Sequence, residues 1–240
     1  MADIFISYSR KDIAFARLIR EALQQGRLDT WIDWERIPVG RRWREEIYEA
    51  IEAAGIFLFI VSDHSLGSEV CKDEIGRALQ NHKRIIPVLV DRVTPAAVQA
   101  FVPDLAPINW IVMERDRIFR LVESLEVLSD NPEDRQVALP AAPQFEEALH
   151  RLNQAIHTDW EWVKFHTRLQ VDALRWERNG KQPDYLMRGA GLREAEGWLG
   201  EAGGKDPAPT PLQTEFVQSS RTAEEQQRQQ RLGRADRWWE

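Results

Sequence analysis

The sequence has little cysteine and no long apolar run, and both shortages limit what the chain can be. Its single cysteine, Cys71, allows neither an internal disulfide nor a cluster of metal-bound thiolates, which is typical of a reducing compartment. The longest apolar run, residues 55–61, is far shorter than the roughly 20 residues of a membrane span. The first residues show no basic segment followed by an apolar stretch, so we expect a cytoplasmic protein with no membrane partner.

Positive charge is also scarcer than negative charge. The formal net charge of −7 argues against broad electrostatic attraction to nucleic acid, so no direct nucleic-acid partner is expected. With 43% hydrophobic and 30% charged residues, the chain has enough apolar side chains for a core and too many charges for a membrane protein. Its 240 residues suit one full domain and a smaller companion, because domains typically have roughly 100 to 200 residues.

In the first half of the chain, short apolar runs alternate with segments of helical periodicity. The apolar runs are typical of buried parallel strands. Five such alternations with short loops predict an α/β fold with a flavodoxin-like five-stranded parallel sheet, because parallel strands require crossover connections. The predicted strands are 3–8, 28–32, 56–61, 84–90 and 108–112. The first predicted helix ends near Gly26, and the others span 42–53, 68–80, 95–101 and 116–128.

Strand patterns disappear in the second half. A segment rich in Asp, Asn and Pro marks a linker. We therefore predict an α/β domain over 1–130, a linker over 131–143, an all-α domain over 144–220 and a polar tail, helical or disordered, over 221–240. His157, Asp159 and His166, expected on one helix, are not spaced to share a face as metal ligands would, so no metal site is predicted.

The carboxyl ends of the predicted strands carry polar and aromatic side chains. Ligands of open parallel sheets bind beyond these ends, where the strand order reverses. Tyr8, Ser9 and Arg10 follow the first strand, and Trp31 and Asp33 follow the second. This edge is therefore the expected binding site.

Glu74 lies on the helix that follows the third strand. It borders the apolar stripe of Cys71, Ile75 and Ala78, so its carboxylate is expected against apolar walls near the same edge. Position alone does not make it catalytic, because most glutamates on helices are solvated.

Three segments resemble successive motifs of Toll/interleukin-1 receptor (TIR) domains, and a fourth resembles the next strand of that family. They are FISYS at 5–9 with Asp12, the stretch from WID to IPVG at 31–40, the pattern S-x-x-S-x-x-C-x-x-E at 65–74, and IIPV at 85–88. The motifs follow one another in order and with suitable spacing over most of residues 1–130. Together they are specific, whereas any one of them alone would be weak.

The resemblance implies an NAD+-consuming enzyme. Enzymatic TIR domains hydrolyse or cyclise NAD+, and Glu74 matches the position of their catalytic glutamate. Many relatives carry tryptophan four residues earlier, where this chain has Val70. NAD+ would be the substrate, and no cofactor is implied.

The resemblance also suggests contacts for NAD+. Tyr8 or Trp31 would stack on an aromatic ring and Arg10 would meet the pyrophosphate, with Ser9 and Asp33 beside them. Trp31 as core and Arg10 as a solvated charge are equally good interpretations. Ser65 and Ser68 would bond ribose hydroxyls, although Ser68 fits slightly better as a helix N-cap.

The loop over 33–41 matches the segment through which TIR domains pack against one another. It carries four apolar side chains among charges: Trp34, Ile37, Pro38 and Val39. The resemblance implies a homo-oligomer formed through this loop, while folding of the loop back onto its own domain is the simpler alternative.

Two hypotheses about the function of the chain stay open. The first is an NAD+ glycohydrolase or cyclase in bacterial stress or antiphage signalling, and the second is a non-enzymatic TIR adaptor. Residues 157–160, 166–169, 186–189 and 211–213 resemble a helical segment that follows TIR domains in some bacterial proteins with sensor regions. A sensor or downstream effector is therefore an expected partner, and the chain is either a stand-alone effector or a fragment.

Overall fold

Five short strands form one parallel sheet. They are β1 (Ile4–Ser7), β2 (Thr30–Trp31), β3 (Ile56–Val61), β4 (Arg84–Leu89) and β5 (Ile111–Val112). Their order is β2-β1-β3-β4-β5, and every pairing is parallel. The predicted α/β fold with a five-stranded parallel sheet is therefore confirmed. The computed structural model describes residues 3–32, 43–105, 107–114 and 143–236, with side chains as far as 231.

Strands β1 and β3 lie side by side within the sheet. β3 is wholly apolar, and β1 is apolar except for Ser7 at its carboxyl end. β3 has the sequence IFLFIV and is buried throughout, as expected for a strand covered on both faces. In the register, Ile4 lies opposite Ile56 and Ser7 lies opposite Phe59. The chain passes from β1 to β2 on one side and reaches β3 on the other, so the strand order reverses between β1 and β3. The carboxyl ends of these two strands flank the expected ligand crevice.

Helices cover the sheet. In the first part of the chain they are α1 (Ile13–Gln25), α2 (Trp43–Ala53), α3 (Glu69–Gln80), α4 (Pro95–Phe101) and α5 (Pro143–His157). One apolar cluster joins Phe5, Phe57 and Phe59 of the sheet to Ile51 of α2 and Ile75 of α3. Alternate strand residues, among them Ile4, Ile6, Leu58 and Ile60, are equally buried. Because successive side chains of a strand point to opposite faces, both faces of the sheet are buried.

The predicted elements differ from the observed ones in three places. β2 and β5 are each two residues long, shorter than the predicted 28–32 and 108–112. β2 and β5 are the edge strands, so each pairs with only one neighbouring strand of the sheet. Leu28 and Ile32, which flank β2, are nevertheless buried, as their apolar character predicts. Helix α5 was not predicted as a separate element, although it lies almost wholly within the region predicted to be all-α, 144–220. Its apolar residues do recur at helical spacing: Phe145, Ala148, Leu152 and Ile156 are all buried.

The chain divides into two units, residues 1–161 and 162–240. The predicted linker over 131–143 falls almost entirely outside the described residues, and the predicted domain limits stay predictions. His157 ends α5, Asp159 has a positive φ of 47°, and His166 lies on the next helix. The expectation that these three residues share one helix was therefore wrong.

The second unit is built from helices that pack around tryptophan side chains. The helices are α6 (Trp160–Arg178), α7 (Gly189–Gly200) and α8 (Pro211–Asp236). Trp162 stacks on Trp198 with ring centroids 4.3 Å apart, and Trp176 contacts Phe216. The Trp-rich stripe of α6 is thus core against neighbouring helices, and the predicted all-α character of this region is confirmed. No helix among the described residues has the length and apolarity needed to span a bilayer.

A buried group of charges lies at the amino end of β4. Lys83 is 5% exposed, and its side-chain nitrogen donates a hydrogen bond of 2.7 Å to the backbone carbonyl of Glu52. The Glu52 carboxylate pairs with the Arg77 guanidinium. Burial lowers the pKa of Lys83 from 10.5 to about 7, although the nearby Glu52 carboxylate acts in the opposite direction.

This lowered pKa predicts how stability depends on pH. Between about pH 7 and pH 10.5 the unfolded chain binds a proton at Lys83 that the folded chain does not, so stability must rise with pH. Relative to a Lys83→Met variant, the free energy of unfolding of the wild type should increase through this window by at most about 1.4 kcal/mol per pH unit. Urea unfolding of both proteins at several pH values measures the difference. A difference that stays constant with pH contradicts the neutral buried amine.

Candidate active site

The helix that carries Glu74 starts at a capped end. The Ser68 hydroxyl accepts a hydrogen bond of 3.3 Å from the Cys71 amide, which satisfies one of the free donors of the first helical turn. The predicted N-cap role of Ser68 is therefore seen directly. Cys71 and Ile75 contribute to the apolar cluster below, and Glu74 lies between them on α3. Its side chain is only 4% exposed.

The Glu74 carboxylate meets a strand residue. The Ser7 hydroxyl, at the last position of β1, donates a hydrogen bond of 2.6 Å to Oε2 of Glu74. Ser7 itself is 1% exposed. A bond of this length is in the range of hydroxyl donors to ionised carboxylates. In surroundings of low polarity such a bond is stronger than it would be in water.

A second serine–carboxylate bond also connects the β1 and β3 segments, but here the β3 segment supplies the serine and the β1 segment supplies the carboxylate. Ser62, directly after β3, donates to Oδ2 of Asp12 at 2.5 Å, and Asp12 is 1% exposed. The serine of β1 thus bonds to a carboxylate that follows β3, whereas the serine after β3 bonds to a carboxylate that follows β1. We call Ser7–Glu74 and Ser62–Asp12 the crossed serine–carboxylate pairs. They join the end of β1 and the segment after it to the segment that follows β3.

The turn after β3 uses the hydroxyl of Ser65. That hydroxyl accepts from the Ser62 amide at 2.9 Å and donates to the Ser62 carbonyl at 3.1 Å. Ser65 is fully buried. Its hydroxyl therefore shapes the turn that leads to α3, and its predicted contact with a ribose stays a prediction.

The residues after β1 differ in their access to solvent. Tyr8 is 7% exposed, Ser9 is half-buried and makes no capping bond to the short helical turn Arg10–Asp12, and Arg10 is exposed. All three follow Ser7 directly, so they lie at the carboxyl edge next to the crossed serine–carboxylate pairs. Ser9 and Arg10 are the predicted contact residues that present surface there.

Trp31 belongs to the core. It lies opposite Phe5 in the register of β1 and β2, its ring stacks on the Phe5 ring at 4.8 Å, and it is 8% exposed. This placement favours the core interpretation over the ligand-stacking one. The other predicted contact of that segment, Asp33, and the four apolar loop residues Trp34, Ile37, Pro38 and Val39 lie outside the described residues.

Two side chains of the site were not predicted, Ser7 and Asp12. A usable signal existed for Ser7, because it is two residues beyond Phe5 on the strand and must point to the same face, where α3 packs. Asp12 is a charged residue at the start of a helix whose next residues are mostly apolar. No group of His, Cys, Asp or Glu among the described residues could hold a metal ion.

Comparison with known proteins identifies one family. The family model described as TIR domain matches residues 4–123. No curated protein matches the chain. Similar solved structures include the TIR domain of the Toll-related receptor TRR-2 from Hydra magnipapillata, with 18% identity, a TM-score of 0.42 and coverage of 50% of this chain and 91% of that chain.

Two further solved structures are similar over part of the chain. One is a TIR-STING receptor from C. gigas in complex with 2',3'-cGAMP, with 24% identity, a TM-score of 0.42 and coverage of 48% of this chain but only 36% of that chain. The other is the set of TIR domains of the activated Roq1 resistosome that recognises the effector XopQ, with 17% identity, a TM-score of 0.37 and coverage of 67% and 98%. These likenesses are too distant to indicate what the chain binds.

The core placement of Trp31 predicts a large loss of stability when its ring is removed. Trp31→Ala should lower the free energy of unfolding by about 3–5 kcal/mol, because it empties a packed site, whereas Trp31→Phe should cost less since an aromatic ring remains over Phe5. Trp43→Ala is the matched control, because Trp43 is 42% exposed, and it should change stability by no more than about 0.5 kcal/mol. Urea unfolding measures all three. Equal stability of Trp31→Ala and the wild type would contradict the core placement.

Proposed function

Because this chain belongs to the TIR-domain family, we propose that its first unit cleaves NAD+ at the bond between nicotinamide and ribose, with Glu74 as the catalytic carboxylate. One observation carries the proposal beyond family membership. At the position matched by the family's catalytic glutamate, this chain has a buried carboxylate that accepts a 2.6 Å hydrogen bond from Ser7 at the carboxyl edge between β1 and β3. Buried, oriented carboxylates at such edges are candidates for catalysis.

The proposed reaction needs one carboxylate. When the ribose–nicotinamide bond breaks, its electron pair leaves with nicotinamide, and positive charge develops on the sugar as in glycoside hydrolysis. A fixed negative charge beside that sugar lowers the barrier most where water is excluded. Nicotinamide is cationic in NAD+ and departs neutral, so no acid is needed to protonate it. Water or the adenine ring then attacks the ribosyl cation and a proton is released, so hydrolysis and cyclisation both fit.

The exposed groups of the same edge suit the rest of NAD+. Arg10 is exposed and carries the charge and the hydrogen-bond donors that a pyrophosphate requires. Ser9 is half-buried beside it and can donate to a phosphate or a ribose hydroxyl. Tyr8, Asp33, Ser65 and Ser68 are proposed as further contacts.

Access to Glu74 requires a movement. A side chain that is 4% exposed cannot meet a sugar unless a neighbouring group shifts. We propose that self-association through the loop over 33–41 supplies that shift, so that contact between copies assembles the site. The proposed partners are therefore NAD+, further copies of the chain, and a sensor or downstream effector in bacterial stress or antiphage signalling in the cytoplasm.

A non-enzymatic adaptor is the second candidate, and the burial of Glu74 favours it. A carboxylate with a buried serine donor is also what a purely structural role would produce. Val70, four residues before Glu74, is 38% exposed, where many relatives of the family have tryptophan. An adaptor would self-associate through the same loop without consuming NAD+. Release of nicotinamide from NAD+ by the purified chain, followed by mass spectrometry of the product, separates the two functions.

The catalytic assignment predicts the effect of Glu74→Gln. This nearly isosteric change removes the charge that stabilises the ribosyl cation, so the rate of nicotinamide release should fall on the order of 100-fold or more. Glu69→Gln is the control, because Glu69 is an exposed glutamate in the first turn of the same helix, and its rate should match the wild type. Circular dichroism and thermal melting show that both variants fold. A folded Glu74→Gln protein with the wild-type rate would refute the assignment.

The proposed assembly predicts that activity per subunit rises with protein concentration. Ile37→Asp adds a charge within the loop over 33–41, so it should suppress both assembly and turnover while leaving circular dichroism and melting unchanged. Val112→Asp adds the same charge at a 48% exposed position on β5, the edge opposite β2, and should leave both properties as in the wild type. Light scattering and nicotinamide release are measured over a concentration series. Specific activity that is independent of concentration, with a fully active Ile37→Asp monomer, would contradict assembly of the site.

A further inference from the structure

Ser7 ends β1 at the point where the strand meets α3. It lies opposite Phe59 in the register, and its side chain shares a face with Phe5, which belongs to the apolar cluster beneath α2 and α3. Within the described part of β1 it is the one residue with a polar side chain. That hydroxyl lies 2.6 Å from Oε2 of Glu74, so the strand contributes a donor where the rest of its face contributes only apolar contacts.

A glutamate side chain needs such a partner to keep one orientation. Glutamate has three rotatable bonds and loses rotamer entropy when it is fixed. Ser7 has a short side chain on a paired strand, so its hydroxyl is itself well positioned. A hydrogen bond to the ionised form of a carboxylate also favours that form over the protonated one. Both effects are what stabilisation of a sugar cation requires.

The other crossed pair is a comparison for this bond, because it joins the same kinds of group without involving Glu74. Ser62 donates to Asp12 at 2.5 Å and, like Ser7, is buried. Ser62 also accepts from the Ser65 amide at 3.0 Å, so it is part of the turn after β3. Among the hydrogen bonds of the described residues, Ser62 has none to Glu74, so it differs from Ser7 chiefly in the carboxylate to which it donates.

We propose that Ser7 is a positioning residue of the NAD+-cleaving site, whose hydroxyl orients the Glu74 carboxylate and keeps it ionised for the sugar cation. The proposal rests on the proposed function. It goes beyond that function because it assigns a role to a strand residue that does not itself have to touch NAD+. It also separates the two crossed pairs, Ser7–Glu74 serving the reaction and Ser62–Asp12 serving the fold.

The test compares three variants that change one buried hydroxyl each: Ser7→Ala, Ser7→Cys and Ser62→Ala. Ser7→Ala should lower kcat for nicotinamide release about 10-fold or more with little change in KM, because a hydrogen bond to a charged group is lost. The acidic limb of its pH–activity profile should move to higher pH. Ser7→Cys retains a weak donor in a similar volume, so its kcat and its pH profile should lie between those of the wild type and Ser7→Ala. If Ser7→Ala does not fold, Ser7→Cys tests the same expectation. Ser62→Ala should lose stability and keep the wild-type pH profile.

A double variant checks whether Ser7 acts through Glu74. In the Glu74→Gln background, Ser7→Ala should cause no further loss of rate, because the two residues act as one unit. Equal effects of Ser7→Ala and Ser62→Ala on kcat and on the pH profile, with Glu74→Gln inactive, would overturn the positioning role alone. A wild-type chain that releases no nicotinamide at any concentration would overturn the proposed function and the positioning role together.

Discussion

The parallel pairing of β1 with β3 is the constraint on which the site depends. Because the two strands run side by side in the same direction, their carboxyl ends reach the same edge of the sheet, and the segments that follow them must diverge there. Ser7 ends β1 and Asp12 follows it, whereas Ser62 and Glu74 both follow β3. The crossed serine–carboxylate pairs bridge these segments at 2.6 and 2.5 Å, so the sheet brings together residues that are 67 and 50 positions apart in the chain.

Burial of two carboxylates has an energetic cost that these bonds offset. An ionised carboxylate removed from water without a partner is strongly destabilising. Asp12 and Glu74 are 1% and 4% exposed, and each accepts from a serine that is also buried. Charge in an apolar setting acts strongly on whatever approaches it. The same arrangement fits a purely structural role, and under the proposed function it would also place a negative charge beside a sugar cation, so geometry alone does not separate an enzyme from an adaptor.

Much of the first unit could be predicted because its signals are local. The apolar hexapeptide of β3 and the stripe of α3 each indicate their own structure, and both were found at the expected residues. The two edge strands were predicted to be too long. An apolar pattern indicates only that residues are buried, whereas a residue belongs to a strand only when its backbone pairs with a neighbouring strand. Helix α5 was not predicted as a separate element, although its stripe was present and its residues fall in the region predicted to be all-α. Glu74 was proposed as a site residue from its motif, whereas its hydrogen-bond partner Ser7 was not predicted.

The sequence by itself determined the α/β class, the order of the elements, the family and the position of Glu74. These follow from periodicity and short motifs, which each segment carries independently of the others. Only the tertiary structure decided that Trp31 stacks on Phe5, that the Ser65 hydroxyl is used within its own turn, and that Ser7 donates to Glu74. Whether a polar side chain faces solvent, a ligand or another buried group depends on which distant segment packs against it. That partner is set by the register of the strands and the packing of α3, which no local pattern specifies.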